Sequence, residues 1–314
     1  MKDKFNRPVL NLRISVTQRC NLRCPYCHRE GQERAPDASI VEMTPAEIIR
    51  LSEIAISLGI QRIKITGGEP LLRKDIINIV KGIAELQGLQ DLSLTTNGHF
   101  LASKAKDLHY SGLTRVNVSL PSLNADTYHQ FMDGNLKDVL TGVSAAVNTG
   151  LYPVKINMLI LRGVNADEIP AMIQFARRSK TLLQLIELEP VNLDKAFYEH
   201  YHYSLKEIEA NLASQALHVT VRSYMQNRRV YHLPNGRVEV IRPIENTEFC
   251  AHCTRLRVTS DGKLKPCLMV NSNLVDVLTP LRKGAADKEI AELFIKTCRS
   301  RKPYYRLKVS QMLE

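Results

Sequence analysis

The chain has 314 residues, 44% of them hydrophobic, and a formal net charge of +11. That length can bury a full core, as one large domain or as a domain with a smaller module. No run of about 18 apolar residues is present to span a bilayer, and the opening Met1-Lys2-Asp3-Lys4-Phe5-Asn6-Arg7 has no apolar stretch of the secretory kind. The seven cysteines are therefore read as reduced thiols of a cytoplasmic protein, kept for metal or catalysis. The positive balance permits a nucleic-acid partner, but the basic residues are spread along the chain without a Lys/Arg block. Aromatic residues make up only 6% and Trp is absent, which disfavours a stacking platform for single strands. A small polyanion such as a nucleoside triphosphate accounts for local charge equally well.

In chain order, apolar β-branched runs at residues 10–16, 60–66, 91–96, 114–120, 153–161 and 182–188 predict strands. Each is followed by a helix-like pattern. The first helix opens with Thr44-Pro45-Ala46-Glu47, a capping box with proline at the first helical position. Ile48, Leu51, Ile54, Ala55 and Leu58 then recur at helical spacing, and Gly59 ends the element. Further helices are expected at 74–86, 101–110, 136–149 and 166–178. This alternation means a parallel sheet with helices outside. Six such units fall two short of a closed eight-stranded barrel, so the expected fold is α/β, an open partial barrel over residues 1–205. Residues 206–314 read as a smaller module, with short strands at 219–224, 230–233, 238–241 and 256–259 broken by turns at Asn235-Gly236 and Asp261-Gly262.

Three groups of residues carry chemistry. Cys20, Cys24 and Cys27 follow the first strand and so fall on the C-terminal rim, where barrel active sites gather. Three thiolates without a fourth cysteine nearby suit a cubic iron–sulfur cluster with one open iron. A zinc site completed by His28 is the competing reading. Thr66-Gly67-Gly68-Glu69-Pro70 ends the second strand, where two glycines allow close backbone approach and Glu69 can receive an ammonium group. The third group is Cys250-Ala251-His252-Cys253 followed by Cys267, with the Asp261-Gly262 turn expected to fold Cys267 back beside the first pair. Again a second cluster and a zinc site, here with His252, compete. Cys298 is left over and reads as a packed thiol.

The cysteine run resembles the signature of the radical S-adenosylmethionine superfamily, and Thr66–Pro70 resembles its GGEP motif. Over almost the whole chain the sequence is similar to the GTP 3′,8-cyclase family of molybdenum cofactor biosynthesis. The stretches that carry this are Asn11-Leu12-Arg13-Ile14-Ser15-Val16-Thr17, the cysteine loop, TGGEPLLR, and Phe249 to Leu268. His28-Arg29-Glu30-Gly31 looks most like archaeal members. The resemblance implies 4Fe–4S clusters on Cys20, Cys24, Cys27 and on Cys250, Cys253, Cys267. It implies S-adenosylmethionine contacts from Tyr26, Gly68 and Ser119, and GTP contacts from Arg13, Lys64, Thr95, Lys155, Arg255, Leu256 and Arg257. The implied reaction is cleavage of S-adenosylmethionine to a 5′-deoxyadenosyl radical, hydrogen removal from C3′ of GTP, and attack of C3′ on C8 of guanine, with the open iron of the second cluster holding the base. A low-potential electron donor and a homodimer are the expected partners. The alternatives are a related two-cluster enzyme acting on another nucleotide or a peptide, and a zinc-stabilised nucleic-acid-binding protein.

Departures from the family pattern are local. Lys64 stands where bacterial members carry arginine, Pro121 enters a segment that elsewhere has an aspartate, and Glu189 replaces a methionine. The family's terminal Gly-Gly is absent from Ser310-Gln311-Met312-Leu313-Glu314.

Overall fold

The structure, a computed structural model, describes residues 1–32 and 42–306. Its six predicted strands are present as β1 (Asn11–Ser15), β2 (Arg62–Thr66), β3 (Asp91–Thr96), β4 (Arg115–Ser119), β5 (Lys155–Ile160) and β6 (Leu182–Glu187). They pair in sequence order and in parallel. The helices between them are α1 (Pro45–Ser57), α2 (Ile76–Ala84), α3 (Leu101–Tyr110), α4 (Ala125–Met132), α5 (Leu136–Asn148) and α6 (Ile169–Arg178). The predicted capping box of α1 is made: Glu47 N–H donates to the Thr44 hydroxyl at 3.3 Å and Thr44 N–H to the Glu47 carboxylate at 2.7 Å.

The remaining elements are α7 (Lys195–Tyr201), α8 (Lys206–Gln215), β7 (His218–Arg222), β8 (Arg228–Leu233), β9 (Gly236–Ile241), α9 (Thr247–Ala251), β10 (Arg255–Val258), β11 (Lys263–Lys265), β12 (Val275–Asp276), α10 (Leu278–Arg282) and α11 (Asp287–Ser300). Their strands do not form a sheet of their own. One twelve-stranded sheet runs β12-β11-β10-β1-β2-β3-β4-β5-β6-β9-β8-β7. Strand β10 joins β1 in parallel and β9 joins β6 in parallel. The segment expected as an added module thus supplies the two parallel strands that six units lack for a barrel. The barrel stays open, because β9 and β10 each turn outward into an antiparallel hairpin and do not pair with each other.

Within this sheet, side chains alternate with period two. Leu12, Ile14, Ile63, Ile65, Leu92, Leu94, Val116, Val118, Ile156, Met158, Leu183 and Leu185 are almost wholly buried in the principal hydrophobic core. Burying each such side chain contributes about 1.5–3 kcal/mol. The alternate positions carry Arg13, Lys64, Thr95, Arg115, Asn117, Ser119, Lys155, Asn157 and Gln184, and these line one interior cavity. Strands of a parallel sheet covered on both faces are ordinarily apolar throughout. A polar inner face instead marks a space built for a polar guest.

Candidate active site

The cavity has a volume of about 280 Å³. The first cysteine group and the glycine turn share its wall: Cys20, Cys24, Tyr26, Cys27, Gly67, Gly68 and Ser119 all face it. The two loops are joined by backbone. Gly68 N–H donates to the Thr17 carbonyl at 2.7 Å and Glu69 N–H to the Arg19 carbonyl at 2.8 Å. A Cβ at Gly68 would stand 2.2 Å from the Arg19 oxygen and 2.6 Å from that of Gln18, so glycine is required there by close approach.

Glu69 corrects an expectation. It is fully buried rather than presented to the cavity. Its carboxylate accepts the Thr96 hydroxyl at 2.7 Å, Asn97 N–H at 2.7 Å and Leu71 N–H at 3.0 Å. Burial pushes it up to about 7 against the pull of those donors. Glu69 therefore fixes the turn, and it is Gly67 and Gly68 that face the cavity.

Cys20, Cys24 and Cys27 are electrostatic neighbours in one loop, and these three thiolates would hold an iron–sulfur centre there. Cys24 is pushed up to about 12 by burial and by its neighbours Cys27 and Cys20. Three thiolates in this loop thus need a strongly cationic partner, which a bound iron–sulfur centre provides. His28 is engaged elsewhere, its Nδ1 accepting Glu30 N–H at 3.0 Å.

The second group forms as the turn predicted. Strands β10 and β11 pair with Arg257 opposite Lys265, which carries Cys267 back beside the Cys250 and Cys253 segment. Cys250 is raised first by burial, with Cys253 and Cys267 adding to the rise, so the three are electrostatic neighbours. None of the three lines the cavity, but their chain neighbours Phe249 and Leu268 do. The backbone of Tyr304 and Tyr305 hydrogen-bonds the Cys250 thiol. The chain end from Ser310 to Glu314, where the Gly-Gly departure falls, lies outside the described residues.

Of the residues expected to meet a nucleotide, Arg13, Lys64, Thr95, Lys155, Arg255 and Arg257 line the cavity. Leu256 does not: it falls on the opposite face of β10 and is wholly buried in the core. Lys64 Nζ donates to the Asn117 side chain at 2.9 Å. Burial holds its ammonium well below the usual lysine range, and the Arg115, Arg13 and Lys155 charges push the same way. Such a cation fits a site that admits a strong anion. Pro121 and Glu189, two of the departures, also border the cavity.

Two ion-paired carboxylates were given no role from the sequence. Glu30 accepts Arg13 at 3.1 Å, Arg257, and the Thr66 hydroxyl at 2.9 Å. Burial alone would raise its carboxyl, but the two guanidinium groups outweigh it and hold it far below the carboxylate range. Deeper in the molecule, Glu239 accepts Lys155 at 2.8 Å, Arg222 at 2.9 Å, Arg228 at 3.4 Å and Gln184 at 2.6 Å. The available signal was partial: polar residues alternate along β4 at Arg115, Asn117 and Ser119, and interrupt the apolar runs at Lys155 and Asn157 in β5 and at Gln184 in β6.

Comparison with known proteins places this geometry. Residues 14–176 match the radical SAM superfamily model, and residues 181–307 match that of Molybdenum Cofactor Synthesis C. A probable GTP 3′,8-cyclase of Thermococcus kodakarensis is 48% identical over 97% of this chain and 99% of its own. Another, of Methanothermobacter thermautotrophicus, is 45% identical over 97% and 99%. The chain belongs to the GTP 3′,8-cyclase family. Among solved structures, Streptococcus suis SuiB bound to S-adenosylmethionine shares the fold, with a TM-score of 0.65 at 18% identity over 86% of this chain and 63% of that one. This chain therefore spans less than two thirds of SuiB, whereas it matches its cyclase relatives nearly end to end.

Proposed function

We propose that this chain is a lyase that cyclises GTP between C3′ and C8, using S-adenosylmethionine and two 4Fe–4S clusters, at an early step of molybdenum cofactor synthesis. The single observation that carries this reading is a cavity with Cys20, Cys24, Cys27 and Gly68 on its wall and Arg13, Lys64, Lys155, Arg255 and Arg257 around its interior. Cys20, Cys24 and Cys27 would hold the first cluster and Cys250, Cys253 and Cys267 the second. Bound there, the first supplies the electron that breaks the sulfonium bond of S-adenosylmethionine.

The chain's own residues bind, orient and shield. Tyr26, Gly68 and Ser119 position S-adenosylmethionine beside the first cysteine group. The cationic wall takes the triphosphate, whose charges need pairing once water is excluded. Lys64 offers charge without the bidentate fork of arginine, so it meets phosphate as a point charge. A low-potential electron donor outside the chain, a cytoplasmic setting and a homodimeric assembly complete the proposal. Consistent with that setting, no helix among the described residues is long and apolar enough to cross a membrane.

Anaerobic reconstitution tests it. About eight irons per chain are expected for two four-iron clusters, and GTP but not ATP should trigger formation of 5′-deoxyadenosine together with a cyclised nucleotide. Equal cleavage with ATP, or none with either, would refute the assignment. Cys24→Ala should abolish cleavage, whereas Cys267→Ala should keep the first cluster and lose productive GTP binding.

A further inference from the structure

Arg13 and Arg257 are register partners on neighbouring parallel strands, and both face the cavity. Two guanidinium groups held side by side repel unless an anion stands between them. Here that anion belongs to the protein. Glu30 takes a terminal nitrogen of each arginine and the Thr66 hydroxyl. It comes from no strand, but from the turn immediately after Cys27.

That turn is held at its flanks. Gly31 carbonyl accepts Lys265 Nζ at 3.0 Å, and the Asn192 side chain donates to the His28 carbonyl at 3.0 Å and the Gln32 carbonyl at 2.8 Å. Between these anchors, Arg29, Glu30 and Gly31 lie consecutively in the left-handed region, at φ 47°, 53° and 71°. For the first two this is a conformation that side chains disfavour. The backbone is bent to deliver one carboxylate to two arginines.

We propose that Glu30 is a built-in counter-anion which the substrate's triphosphate displaces, so that filling the nucleotide site moves the turn that follows the first cysteine group. The proposal rests on GTP being the substrate. Phosphate oxygens and the Glu30 carboxylate compete for the same guanidinium donors, and in a partly closed cavity the two anions repel one another. Displacement lets Arg29 and Glu30 relax, and it transmits occupancy of the nucleotide site to the loop of Cys20, Cys24 and Cys27. By linkage, a carboxylate that must be expelled lowers the affinity for GTP.

Equilibrium dialysis of the reconstituted holoenzyme, without reductant, against labelled GTP, GMP and guanosine tests this. Glu30→Gln should bind GTP at least about fivefold more tightly, gain less for GMP, and leave guanosine unchanged. GTP affinity that is unchanged or weaker in Glu30→Gln overturns the proposal. Should that variant not fold, a crystal structure of the wild-type holoenzyme with GTP decides: Glu30 must have left both arginines, and a carboxylate still bonded to them overturns it. A wild-type holoenzyme that binds guanosine as tightly as GTP would instead overturn the nucleotide assignment, and the displacement proposal with it.

Discussion

Removing the Glu239 carboxylate would leave Lys155, Arg222 and Arg228, now at 2.8, 2.9 and 3.4 Å from it, without a common partner. Breaking a buried ion pair from one side costs about 3–5 kcal/mol, so Glu239→Gln should lower the melting temperature clearly in a thermal scan. The same residue sets an acid dependence. Burial would raise its carboxyl above the ordinary 4.5, but the Lys155, Arg228 and Arg222 charges outweigh that and hold it far below. A depressed carboxyl stabilises the fold fully above its unfolded value and loses that contribution as pH falls. Wild-type stability should therefore drop as pH falls below about 4.5, and Glu239→Gln should show a shallower slope there in denaturant melts. At Lys64 the expected effect is on substrate. Lys64→Ala should raise the KM for GTP by roughly 30-fold or more, as truncating a buried charged contact does, with S-adenosylmethionine affinity unchanged. The family resemblance pointed to Lys64, and close spacing singled out the six cysteines. The ion-pair roles of Glu239 and Glu30 were not legible, since their partners come from strands and turns distant in sequence.

At the scale of elements, the turn of Thr66 to Pro70 and the cysteine loop behave as one unit, since their backbones are bonded directly. Gly68→Ala would push its Cβ against the Arg19 and Gln18 carbonyls and part the two. A shift of about 1 Å costs roughly a hundredfold in rate, so 5′-deoxyadenosine formation should fall by that order while GTP binding by dialysis is retained. The strands and their order were legible from apolar runs, because β1 to β6 are regular units between clear helical patterns. Helix α11 was not assigned from sequence, although Ile290, Phe294 and Cys298 recur at helical spacing and are buried. Its polar residues dilute the apolar stripe, and it follows irregular chain rather than a strand. Helices α7 and α8 escaped for a related reason: α7 has no wholly buried residue and α8 only Leu212.

For the molecule as a whole, the sequence boundary near residue 205 is not a boundary in the sheet. Without residues 206–314, β1 and β6 would expose unpaired edges, which are prone to pair with other chains. A chain ending at residue 205 should therefore be insoluble or aggregated in light scattering, whereas the full chain is expected to remain dispersed. The count of six units was correct. What it could not reveal is that a later segment returns to both margins, because long-range strand pairing leaves no local periodicity. Between β9 and β10 there is no strand ladder; side chains bridge the junction instead, with Thr254 and Asn11 donating to the Tyr224 carbonyl at 2.9 and 3.4 Å. Elsewhere the wall widens only by tearing a row of backbone rungs, whereas here a few side-chain bonds hold it shut. Any breathing of the barrel is therefore concentrated at this one joint.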